Sequence, residues 1–249
     1  MRASRFGNLP LRRSVRRASL VAGAFACLAA PRVLSAQTVS PPIAEYQERA
    51  RSSFQLINTT IFPLNAVLEV HGFTVTEQGE VLEAPLDTSK VRVKLSAMSF
   101  RIPAKQTYTV FYEASADSMP AWFNIVSAIT GAKTESGLNV RILLPHVVYL
   151  NQKAPLRKEQ VVLRAIALDS ASGKLRVQLE NLGPNLGRVQ QVTAAAGKTT
   201  SPPGAGFPLF PHMVRWTEVE WPEGVAPERV TVRFARFTMD TVLSAPGSP

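Results

Sequence analysis

Cysteine is nearly absent from this 249-residue chain, and the only one, Cys27, lies in an apolar run where a thiol behaves as a small hydrophobe. The rest of the chain can form neither a disulfide nor a cysteine metal site, so its fold must rest on core burial alone. Acidic side chains are missing from residues 1–36, which carry Arg2, Arg5, Arg12, Arg13, Arg16 and Arg17 ahead of the short apolar stretch 20–30. A basic start, an apolar run too brief to span a bilayer and small residues at Ser35 and Ala36 read as a signal peptide cleaved before Gln37. Arg16-Arg17 leaves the general and twin-arginine export routes both open. Lipid attachment at Cys27 is disfavoured, because the third position before it is Ala24 rather than a leucine-like residue.

Removing that segment takes most of the positive charge with it: the formal net charge of +10 falls to about +3. The remainder has no basic run interleaved with aromatics, which argues against a nucleic-acid partner.

A sustained helical period is also lacking, so an α/β fold is disfavoured. Short β-branched and aromatic runs occur instead at 54–56, 66–75, 91–95, 107–112, 122–129 and 138–144, separated by groups such as Asn58-Thr59-Thr60 and Pro103-Ala104-Lys105. After a polar, proline-containing stretch at 151–159, a second set follows at 161–167, 175–179, 187–192, 214–221 and 230–237. The expected organisation is all-β: a domain at 37–150, a linker at 151–159, a second domain at 160–245, and a frayed tail after Asp240.

Catalytic constellations are missing too. His71, His146 and His212 stand apart and read as surface or core imidazoles, not metal ligands. No nucleophile elbow occurs, and Gly204-Ala205-Gly206 has neither the helix nor the lysine of a phosphate loop. Glu218 and Glu220 share a strand face and read as the solvated side of an edge strand. These observations point to a protein that is not an enzyme, with no cofactor, metal or small-molecule substrate. The alternation at 229–237 reads as a half-solvated terminal strand. The segment Phe207-Pro208-Leu209-Phe210-Pro211 packs on its own sandwich, or else forms a plug at a domain junction or a contact patch for a partner.

The most informative segment is 137–150, which puts Leu138, Val140, Ile142 and Leu144 on one face of a strand and Asn139, Arg141 and Leu143 on the other. Its position at the end of the first strand set allows two uses: half-buried core, or an apolar row and unpaired backbone offered to another protein.

The order of these pieces resembles the periplasmic pilus-assembly chaperones, the PapD-like family. The likeness rests on the strand Phe54-Gln55-Leu56-Ile57-Asn58 with its polar turn and on the proline turn at 99–110. It rests also on the aromatic strand opening Trp122-Phe123-Asn124-Ile125, and on 138–144 as the last strand before the linker. The resemblance implies two immunoglobulin-like β-sandwich domains in tandem and a periplasmic location. It implies a secreted pilus-type β-sandwich subunit as partner and an outer-membrane usher as a further one. Leu138, Val140, Ile142 and Leu144 then become the row that binds the client, completing a subunit that lacks a strand. It also implies a pair of basic residues holding the client's terminal carboxylate, for which Arg141, Arg49 and Arg51 are the candidates. The position on the first strand where the family has an arginine falls near Pro42 and Ile43. That difference keeps an alternative in view: an exported immunoglobulin-like interaction module without subunit capping.

Overall fold

A computed structural model describes residues 37–133, 139–169, 172–222 and 224–243. The described chain is built of strands joined by turns, with one short 3-10 turn at Lys158–Gln160. Residues up to 151 supply β1 (Gln37–Ser40), β2 (Ile43–Gln47), β3 (Arg49–Asn58), β4 (Leu64–Val75), β5 (Val81–Pro85), β6 (Val91–Leu95), β7 (Ser99–Ile102), β8 (Thr107–Ala116), β9 (Ala121–Lys133) and β10 (Asn139–Asn151). One sheet runs β1-β3-β8-β6; the other runs β2-β10-β9-β4-β5, with β7 also on β4.

Alternation decides which side chains meet between these sheets. Phe54 and Leu56 of β3, Val110 and Tyr112 of β8, and Phe123, Ile125 and Ile129 of β9 all turn inward into one core. β9 is nearly continuous in apolar residues because strands flank it on both sides and little of either face meets water.

The second set comprises β11 (Val161–Asp169), β12 (Lys174–Asn181), β13 (Gly187–Ala196), β14 (Thr199–Thr200), β15 (Phe207–Leu209), β16 (Val214–Glu220), β17 (Arg229–Phe234) and β18 (Thr238–Val242). It forms a β11-β12-β16 sheet and a β14-β13-β17-β18 sheet, with β15 on β13. Leu175, Val177, Leu179, Val189, Val192, Val230 and Val232 fill the space between. The fold is thus two tandem β-sandwiches, as the sequence reading expected.

Two expectations need correction. The strand expected at 230–237 stops at Phe234, and of the tail expected to fray after Asp240, Thr241 and Val242 belong to β18, paired antiparallel with β17, while 244–249 lie outside the described residues. β17 is therefore an inner strand, and Val230, Val232 and Phe234 are buried. The segment at 207–211 divides between packing on its own sandwich and plugging the junction, two of the uses considered for it. Phe207 enters the second core, whereas Phe210 joins Phe73, Tyr149 and Leu186 in an apolar cluster where the sandwiches meet.

Candidate strand-docking edge

The N-terminal strand changes sheets within a few residues. β1 pairs antiparallel with β3, the chain turns through Ser40, Pro41 and Pro42, and β2 then pairs parallel with β10 in the opposite sheet. Two consecutive prolines lack backbone N–H groups, so this segment is poorly suited to continue the first ladder.

β2 covers only part of β10: its register joins 43–47 to 147–151. Residues 139–146 pair with β9 on one side, and no described strand pairs with their other edge. This leaves a run of unpaired backbone groups, interrupted at Pro145, which has no N–H to offer, beside the mouth of the first sandwich.

Side-chain placement along this edge follows the alternation in the sequence. Val140, Ile142 and Leu144 are half-buried, and Ile142 and Leu144 pack against the first core; Asn139, Arg141 and Leu143 are exposed, Leu143 to 54%. Leu138 lies outside the described residues. A bulge between Val140 and Ile142 shifts the register against β9 beside Gly131, whose φ of +91° favours glycine. A methyl group there would also stand 3.3 Å from the carbonyl oxygen of Pro63.

The three arginines considered as carboxylate anchors are not brought together. Arg141 extends from the outer face of its sheet to within 3.9 Å of Glu69 on β4. Arg49 and Arg51 both lie on β3 in the opposing sheet, on its solvent side, where Arg51 pairs with Glu113 at 3.2 Å. The expectation of isolated histidines also changes, since His71 Nε2 lies 3.1 Å from Glu69.

The sequence reading took His146 as a surface or core imidazole and passed over Tyr46 and Tyr112, with which it organises the end of the edge. His146 is fully buried (0% exposed), with Nδ1 2.7 Å from the carbonyl oxygen of Pro41 and Nε2 3.1 Å from the hydroxyl of Tyr112. That hydroxyl lies 2.9 Å from the hydroxyl of Tyr46 on β2. Burial pushes the His146 ring below its ordinary value, an effect the Pro41 bond opposes. Burial, together with the Tyr46 bond, pushes the Tyr112 phenol up. The signal for His146 was present: it continues the inward parity of Val140, Ile142 and Leu144.

Beyond this point β10 leads to the junction. Arg188 pairs with Glu45 of β2 and lies over the Tyr149 ring at 5.2 Å, and Gln152 exchanges two hydrogen bonds with the backbone of Leu186. A cavity of about 180 Å³ opens there, with Glu45, Asn151, Lys153, Arg188 and Arg236 among its lining. Among the described residues no cluster of three or more potential ligands could hold a metal ion.

No protein-family model and no curated protein matches the chain in sequence. Solved structures do match in fold. A chain from a chaperone–tip adhesin complex of CFA/I fimbriae biogenesis has a TM-score of 0.50 and 8% identity, over 83% of this chain and 97% of that one. The YadV chaperone matches at 0.49 and 13% identity, over 84% and 100% of the two chains. A chain of the Salmonella enterica SafA pilin–SafB chaperone complex matches at 0.49 and 13%, over 83% and 96%. The protein has the two-sandwich fold of the fimbrial chaperones.

Proposed function

We propose that the protein is an exported periplasmic chaperone that stabilises a pilus-type subunit by lending it the free edge of β10. The unpaired backbone at 139–146, backed by half-buried Val140, Ile142 and Leu144, carries this reading. A subunit lacking a strand could pair with that edge and complete the burial of the row. Each aliphatic group fully withdrawn from water contributes roughly 1.5 to 3 kcal/mol before ordering costs. Register would give specificity, since a slip of one residue exchanges the apolar row for Asn139, Arg141 and Leu143.

In this reading residues 1–36 direct export, 37–150 form the client-binding domain, 151–159 the linker, and 160–245 the second domain. The protein acts without chemistry, and an outer-membrane usher is a further partner. Fold likeness to a chain from a complex of a chaperone with a tip adhesin supports this choice.

Val140→Arg tests the proposal, because it places a charge on the row at a position that is only half-buried. Periplasmic co-expression with β-subunits encoded beside the protein should show at least a ~10-fold loss of co-purified subunit, with the thermal midpoint of the chaperone unchanged. Undiminished capture by a folded variant overturns the reading. It would favour the exported interaction module, which the separation of Arg141 from Arg49 and Arg51 also supports.

A further inference from the structure

His146 sits where the two halves of β10 meet. Before it, the outer edge of the strand is free; after it, the N–H of Val147 donates to the carbonyl of Pro42 at 2.9 Å, and the β2 pairing begins. Its ring stacks on Phe54 of β3, with 4.6 Å between centroids and 20° between planes, and meets Tyr112 of β8 edge-on at 5.4 Å.

Hydrogen-bond chemistry fixes the proton positions of the neutral ring. The Pro41 carbonyl can only accept, so Nδ1 carries the proton and donates to it; Nε2 then accepts from the Tyr112 hydroxyl, which in turn accepts from Tyr46. The relay therefore ties the strand switch, β8 and β2 to one side chain of β10, with each bond satisfied.

We infer that His146 is the positioning residue that ends the β2–β10 pairing at Val147, fixing 139–146 as the edge open to a partner strand, and that the stop holds while its ring is neutral. The inference rests on the strand-donation reading for its partner, but not for its geometry.

Protonation would occur at Nε2 and change it from acceptor to donor. Tyr112 would then accept from the ring and either leave its own proton without a partner or donate it to Tyr46, reversing the relay. Among the described residues no charged side chain is placed against the ring: Tyr46 from β2 and Tyr112 from β8 face it, β3 offers Phe54, β9 pairs through Ile125, and β1 carries no titratable side chain. An opened segment with a hydrated ring binds the proton near pH 6.5, whereas the closed relay, with its lowered ring, resists it. Closure is thus fully favoured above about pH 6.5 and weakens as the pH falls below that value. Opening would extend the available edge toward Asn151.

Amide exchange on the full chain, corrected for intrinsic rates, tests this at about pH 7.5 and about pH 5.5. The Val147 amide, bonded to Pro42, and the Glu48 amide, bonded to Asn151, should exchange up to ~10-fold faster at the lower pH. The Asn181 amide, bonded to Met213 in the second sandwich, should not change. His146→Gln should abolish the response. His71→Gln removes an imidazole that lies outside the relay, beside Glu69, and should retain it, which keeps the test open if the first variant fails to fold. Equal acceleration at Asn181, no acceleration in the wild type, an unchanged response in His146→Gln, or its loss in His71→Gln overturns the inference. Exchange is read on the free protein, so these failures are distinct from failure of subunit capture.

Discussion

Asn58 and Asn181 occupy equivalent places at the ends of β3 and β12, and each ties a turn to a neighbouring strand. The Asn58 amide nitrogen lies 2.8 to 3.2 Å from the carbonyls of Phe62, Ile102 and Pro103, while its oxygen accepts from the Thr60 amide. Asn181 reaches the carbonyls of Asn185, Leu209 and Phe210, and its oxygen accepts from the Gly183 amide. The local sequences Gln55-Leu56-Ile57-Asn58 and Gln178-Leu179-Glu180-Asn181 carry the repeat in a form too short to be recognised without the fold. Both side chains are buried, so replacement by alanine strands carbonyl groups that water cannot easily reach. Asn58→Ala and Asn181→Ala should each cost about 2 to 4 kcal/mol in urea denaturation, provided their sandwiches remain cooperative.

At the scale of the element, β10 is one strand with two environments, set by how far β2 reaches along it. Its open half should tolerate change outside and resist it inside. Ile142→Ala removes a half-buried group that touches the first core and should cost about 1 to 2 kcal/mol; Leu143→Ser, on the exposed face, should stay within about 0.5 kcal/mol. Thermal and urea midpoints of the free protein check both. The long strands were legible because many residues repeat the same alternation or, in β9, are mostly apolar on both faces. β2 was not, because its burial reverses the hydrophobic order: Ile43 is 47% exposed while Ala44 is buried. β1 is short, and β5 leaves Val81 and Leu82 exposed, so neither carries the period by which strands are recognised.

The whole molecule is held at the junction by aromatic burial more than by charge. Phe210 from the second sandwich packs on Trp122, Phe73 and Tyr149 from the first, at centroid distances of 4.6, 6.2 and 6.2 Å, and the Trp122 indole donates to the Phe73 carbonyl at 2.9 Å. The Glu45–Arg188 and Lys153–Glu48 pairs at its rim are partly solvated, and each is worth about 0 to 1 kcal/mol. Phe210→Ala should therefore cost about 3 kcal/mol and separate the unfolding of the two sandwiches in calorimetry, whereas Glu45→Ala should do neither. A single unsplit transition in the Phe210 variant would show that the sandwiches are coupled elsewhere.

Periodicity by itself determined that this chain is all-β, and spacing separated its two strand sets, because alternation and turn residues are local properties. The same alternation sorted Val140, Ile142 and Leu144 from Asn139, Arg141 and Leu143. Only the tertiary structure decided that the edge of 139–146 is free while that of 147–151 is taken, since this depends on where a strand distant in sequence crosses between sheets. It also placed Arg49 and Arg51 on the opposing sheet from Arg141 and buried His146 beside Tyr112. Pairing partners and the contents of a core are relations between remote segments, and no local pattern records them.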